Sequence, residues 1–191
     1  MPLFTDTFDG TADTLLSSRT GWAAGGGYNN VMVLDGAGAV KRLMYADDGK
    51  TVLNQTGSAS HYVKVVVGAG FVSSAGSIDI LVCTTNDSDS FSVRQGTEGA
   101  LLVRYNVGGN LSTLSGQAAV AGDELELRWD AVTKTLSVRK NGTQIYTNDL
   151  SGDASLGIKT GTNTGIALSY SGQPAADDVF RSWESGELIA D

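Results

Sequence analysis

The chain has 191 residues, a single cysteine and a formal net charge of −8, with a sequence pI near 4.5. A chain of this length suits one domain that buries roughly 70% of its unfolded surface, so neither a disulfide nor a metal is needed to hold a core. The acidic balance excludes nucleic acid and anionic membrane surfaces as partners, because both demand clustered Lys and Arg; no apolar run approaches the roughly 18 residues of a membrane-spanning helix, and membrane insertion is not expected.

Glycine is abundant at 25 residues and proline scarce at 2. Gly, Ser, Thr, Asn and Asp separate short apolar runs throughout, a pattern that predicts many turns and many short strands. The opening MPLFTDTFDG lacks the basic and apolar regions of an export signal, so secretion by that route is not expected. PLFTDTF (2–8) reads as the first strand and GTADTLL (10–16) as one helical turn. AVKRLMY (39–45) is the next strand, with polar, aromatic-bearing loops at WAAGGGYNN (22–30) and MYADDGK (44–50). HYVKVVVG (61–68) aligns Val63, Val65 and Val67 on one face and leaves Tyr62 and Lys64 on the other, the signature of a half-buried strand.

SIDILVCTT (77–85), SFSVRQ (90–95) and ALLVRYNV (100–107) continue the series, with Cys83 expected to pack as a small hydrophobe. ELELRWD (124–130) sets Glu124, Glu126, Arg128 and Asp130 against Leu125, Leu127 and Trp129. TLSVRK (135–140) and TQIYT (143–147) follow, joined by Asn141-Gly142, a two-residue hairpin signal. GIALSYS (165–171) and DDVFRSWE (177–184) close the series. This spacing predicts an all-β, two-sheet antiparallel β-sandwich of roughly twelve strands, forming a single domain over 1–191.

The order FTDTFDG, TGW, WDAVTKTLSVRKNGTQIY, GIKTGTNTGIAL and DDVF resembles the concanavalin A-like lectin/glucanase jelly roll, a superfamily that includes laminin-G-like modules. The resemblance implies that the first and last strands lie side by side. It would bring Asp6 and Asp9 close to Asp177 and Asp178, four carboxylates that a structural Ca²⁺ could bridge. The alternative is that these side chains cap turns and face water.

Laminarinase-type enzymes of this superfamily carry E-x-D-x-x-E on one strand, with a nucleophile and an acid about 5–5.5 Å apart. ELELRWD departs from that template: Glu126 stands at the Asp position, Trp129 at the last Glu, and Arg128 beside Glu126 favours two ionised carboxylates. The Tyr, His, Arg and Gln cluster of related lyases is not matched either, since the one histidine, His61, shares its parity with the valines of its strand and reads as structural. GAGAV (36–40) and GAGFV (68–72) do not complete a dinucleotide-binding loop, and no Cys/His zinc pattern is present.

Sugar recognition needs a flat apolar ring beneath the pyranose and amides or carboxylates for its hydroxyls. Trp22, Tyr28, Asn29 and Asn30 in the first loop, with Tyr45 and Asp47 in the second, are the candidates; Trp129 and Trp183 are expected in the core. The expectation is therefore a non-catalytic carbohydrate-binding or adhesion module with no enzyme activity. It resembles a phage or phage-like particle fibre or spike that touches host-surface polysaccharide, made in the cytoplasm and carried on the virion, or otherwise extracellular, with a homo-oligomer or particle proteins as further partners. A purely structural or oligomerisation module is the alternative, and a glycan hydrolase or lyase with an unfamiliar site the third.

Overall fold

The computed structural model describes residues 2–25, 32–42, 50–73, 78–84, 90–96, 99–106, 109–157, 159–168 and 178–188. Fifteen strands are present among them: β1 (Pro2–Asp6), β2 (Trp22–Gly25), β3 (Met32–Leu34), β4 (Val40–Arg42), β5 (Lys50–Gln55), β6 (His61–Val67), β7 (Ile78–Thr84), β8 (Phe91–Gln95), β9 (Leu101–Tyr105), β10 (Gly109–Leu114), β11 (Glu124–Asp130), β12 (Thr135–Lys140), β13 (Thr143–Asp149), β14 (Asn163–Leu168) and β15 (Asp178–Glu187). A 3₁₀ turn at Leu16–Ser18 overlaps only the last residue of the helical turn expected at 10–16. One five-residue helix, α1 (Ala69–Ser73), was not foreseen.

Every pairing is antiparallel. The eight-stranded sheet runs β13-β12-β11-β6-β15-β4-β3, with β1 also paired to β15, and the seven-stranded sheet runs β10-β9-β8-β7-β14-β5-β2. This is the two-sheet jelly-roll sandwich that the sequence predicts. Alternation explains the central strands: along β6, burial alternates residue by residue and Val63, Val65 and Val67 enter the core. Leu125, Leu127 and Trp129 of β11 and Leu136 and Val138 of β12 join them from the same sheet. From the other sheet come Ile78, Ile80, Val82, Phe91, Val93, Leu101 and Val103.

Aromatic rings organise this core at two places. Trp22 packs against Trp183 at 4.9 Å between ring centroids, and Phe91 against Trp129 at 4.8 Å. Gly68 lets β6 pass under β15 into α1, because a Cβ there would sit 2.1 Å from the Asp178 carbonyl oxygen. Phe71 of α1 then reaches Phe180 at 5.6 Å.

Polar groups also cross between the sheets. The Ser185 hydroxyl donates to Asn54 Oδ1 at 2.6 Å, and the Cys83 amide donates to His61 Nε2 at 2.8 Å. His61 Nδ1 lies 2.9 Å from the Ser58 carbonyl, so the ring is neutral with its proton on Nδ1. Burial holds His61 below the ordinary imidazole range, the structural place that its parity predicts.

Candidate functional site

Trp22 is 5% exposed, donates from Nε1 to Asp6 Oδ2 at 3.0 Å and packs among Phe4, Phe8 and Trp183. Its ring and its indole N–H are engaged inside the protein, which corrects the expectation that it stacks on a sugar. The physical reason is β2: pairing with β5 turns the ring inward although its sequence neighbours are small and polar. Tyr28, Asn29, Asn30, Tyr45 and Asp47 lie outside the described residues, as does Asp177.

β1 does pair with β15, as the resemblance implies, but the register sets Asp6 opposite Trp183. Trp183 is five residues from Asp178, roughly 17 Å along an extended strand. Asp6 is moreover saturated. Its Oδ1 accepts from the Phe8 amide at 2.7 Å and Arg19 Nη2 at 2.7 Å, and its Oδ2 from Arg19 Nε at 3.0 Å and from Trp22. Asp9 accepts from the Thr7 hydroxyl at 2.6 Å, and Asp178 is paired with Arg181. The register therefore separates Asp6 from Asp178. Among the described residues, no group of three or more His, Cys, Asp or Glu could hold a metal ion. Of the calcium site expected at Asp6, Asp9, Asp177 and Asp178, the described members Asp6 and Asp178 are thus held apart.

What the fold does bring together lies on the outer face of the eight-stranded sheet. Strand register places Glu126 of β11 opposite Lys64 of β6, and Lys64 opposite Glu184 of β15. Arg139 of β12 stands opposite Glu126 on its other side. The next row carries Ser137, Arg128 and Tyr62 on β12, β11 and β6. These side chains share a face because their neighbours in sequence point into the core.

Within this face the Tyr62 hydroxyl donates to Glu184 Oε1 at 2.7 Å. Lys64 Nζ lies 3.3 Å from Glu184 Oε2 and 3.9 Å from Glu124 Oε2. Arg128 Nε donates to Glu126 Oε1 at 2.5 Å, the ion pair that the strand's spacing suggested. Burial, then the Glu184 hydrogen bond and the charges of Glu184 and Glu126, push the Tyr62 phenol far up, so it stays protonated. Glu126 is 7% exposed and Glu184 half-buried, giving two carboxylates in unequal surroundings on either side of one strand.

A cavity of ≈ 400 Å³ opens on the same face toward β12 and β13, bordered by Ser60, Arg128, Asp130, Ser137, Arg139 and Gln144 among others. Burial would raise the Asp130 carboxyl. Hydrogen bonds from the Thr133 hydroxyl, the Val132 and Thr133 amides and Ser60 outweigh it and hold it below the usual range.

A second polar cluster escaped the sequence reading. Asp79 of β7 is fully buried and accepts from the Ser92 hydroxyl at 2.7 Å and Arg94 Nε at 3.0 Å, while Arg104 Nη1 stands 3.6 Å away. Since Ile78 and Ile80 face the core, Asp79 points outward; yet β7 and β8 are buried along their whole lengths, not half-buried. One lone charge inside the apolar run SIDILVC was the signal for this ion-pair cluster.

No protein-family profile matches the chain, and no curated protein matches it in sequence. Solved structures do share its fold. An endo-1,3-β-glucanase from Streptomyces sioyaensis is 12% identical over 98% of this chain and 97% of its own, with a TM-score of 0.59. A mutant of the GH43 protein BlXynB from Bacillus licheniformis is 21% identical over 96% of this chain, with a TM-score of 0.65, and this chain spans 39% of its length. The carbohydrate recognition domain of Emp47p is 11% identical over 93% of this chain and 95% of its own, with a TM-score of 0.54.

These likenesses correct the expected non-catalytic adhesion module. An endo-1,3-β-glucanase shares the fold over nearly the whole of both chains, so the jelly roll gives no ground for excluding catalysis. The case against an enzyme rested on the ELELRWD strand and on the lone His61, and failed templates there say nothing of carboxylates that different strands bring together. What these similarities show is the fold: a concanavalin A-like jelly roll.

Proposed function

We propose that this chain is a glycoside-hydrolase-type domain acting on a polysaccharide that lies across the outer face of its eight-stranded sheet. The observation that carries the reading is the row Glu126, Lys64, Glu184, two carboxylates in register on either side of the central strand β6. The glucanase and GH43 likenesses support it by analogy of fold. Two inter-strand steps separate the Cα atoms by roughly 9–10 Å. Side chains projecting in parallel keep their carboxyl groups near the roughly 6.5–9.5 Å at which inverting enzymes seat a water between acid and base. Glu184, oriented by Tyr62 and Lys64, is placed to take the proton of that water. Glu126, the more buried carboxylate, faces it across the strand as the acid, a role open to it once a bound sugar draws Arg128 from its carboxylate.

The test is release of reducing ends from a panel of β-1,3-glucan, xylan, mucin O-glycans and uronic-acid polymers. Release from at least one polymer is expected, with product of inverted anomeric configuration by NMR. Glu184→Gln and Glu126→Gln should each lower the rate by about 10²-fold or more while leaving the melting temperature in place. Absence of release across the panel, or full activity in both folded variants, would overturn the reading.

A further inference from the structure

We infer that the cavity between β11, β12 and β13 is a subsite for a sugar unit bearing a carboxylate, which makes the substrate class an acidic polysaccharide. The assignment rests on the reading of this face as the glycan-acting one, and extends it from reaction to substrate. In a chain of net charge −8, two guanidinium groups, Arg128 and Arg139, border a single cavity. Arg139 Nε is buried without a hydrogen-bond partner, and Arg139 makes no ion pair among the described residues. Arg128 uses Nε for Glu126, and its terminal nitrogens hold no partner among the described residues.

The negative groups nearby are already engaged. Asp130 Oδ1 accepts from the Val132 amide at 2.8 Å, the Thr133 amide at 3.3 Å and the Ser60 hydroxyl at 3.2 Å, and Oδ2 from the Thr133 hydroxyl at 2.8 Å. Glu126 is held by Arg128. Unmet donors on this wall are therefore cationic, and Arg139, half-buried with its Nε shut off from water and unpaired, gains when an anion reaches it. A planar carboxylate fits such a fork by two parallel N–H···O bonds. Ser137, Thr135 and Gln144 supply hydroxyl and amide groups for the rest of a sugar ring, and Leu188 a short apolar wall. The volume, ≈ 400 Å³, lies in the range of small-molecule sites. Because Arg139 stands opposite Glu126 in register, a sugar held there lies next to the carboxylate pair.

The experiment measures binding separately from turnover. Glu184→Gln protein is titrated by calorimetry with a uronic-acid trisaccharide, the matching neutral trisaccharide and a sulfated neutral trisaccharide. The uronic-acid probe should bind best and weaken as salt rises. Arg139→Gln should weaken it about tenfold or more without altering the neutral probe, and Arg139→Lys, which keeps the charge but not the fork, should recover only part of the loss. Equal binding of acidic and neutral probes, no binding of either, or an unchanged acidic affinity in folded Arg139→Gln would overturn the subsite. Tighter binding of the sulfated probe would overturn its assignment to a carboxylate. The two readings fail separately: selective acidic binding without hydrolysis removes the enzyme, whereas hydrolysis indifferent to Arg139 removes the subsite.

Discussion

At the scale of single residues, the buried ion-pair cluster around Asp79 has the largest expected effect. Removing its carboxylate leaves Arg94 and Arg104 facing each other in a site closed to water, with Ser92 unpaired. Asp79→Ala is expected to cost about 3–5 kcal/mol in urea unfolding, the range for breaking a buried pair by removing one partner. A loss below about 1 kcal/mol would mean that the arginines find other partners when Asp79 is gone. Single residues are also where the sequence was hardest to read. Trp22 stands beside small and polar residues and looks available to a ligand, yet β2 turns it inward to Asp6 and Trp183. Asp79 was hidden for the opposite reason: its apolar neighbours suggested a plain core strand. The charges that stabilise it come from β8 and β9, and no local pattern announces that partnership.

At the scale of elements, legibility follows pairing. β11 and β12 fall at the limits read from ELELRWD and TLSVRK, because each has a neighbour on both sides and a single apolar face. β2, β3 and β10, all at sheet edges, went unread; short strands with one neighbour carry little alternation. β5 is interior to its sheet and was missed because Asn54 breaks its apolar pattern. That side chain faces inward to bond Ser185 and the Gly21 carbonyl. The β12–β13 turn was legible in full from Asn141-Gly142, where both residues have positive φ, 51° and 77°. Asn141 Oδ1 also accepts from the Glu124 amide at 2.9 Å, tying the turn back to β11. Gly142→Val therefore forces a branched side chain into the left-handed region. It should lower the unfolding free energy by about 1–2 kcal/mol, read as a shifted denaturant midpoint at constant slope. An unmoved midpoint would show that the turn relaxes without strain.

At the scale of the whole molecule, polar links join the two sheets, and one of them titrates. His61 accepts the Cys83 amide of the opposite sheet only while neutral, and its burial lowers its pKa in the folded state. A depressed folded pKa means that the unfolded chain takes up the proton first. The contribution is complete above the unfolded value near 6.5 and drains away as pH falls below it toward the folded value. Melting curves from pH 7.5 to 5 should show the wild type losing stability more steeply than His61→Gln, which starts less stable but runs flatter. Parallel slopes would exclude His61 as the cause. The face proposed to act on a glycan was only half legible at this scale, because Glu126 was visible in ELELRWD while Glu184, fifty-eight residues later, becomes its neighbour only through β6.

β15 spans ten residues and joins β6, β4 and β1, all of which precede it by more than a hundred residues. During synthesis, those three strands leave the ribosome long before the segment that pairs their open edges. Until residues 178–187 emerge, the eight-stranded sheet is three unconnected pieces, β13-β12-β11-β6, β4-β3 and β1 alone, with exposed backbone donors and acceptors. The chain thus cannot finish this sheet piece by piece as it is made. Its last strand supplies the pairs that join the pieces, so this sheet is completed late.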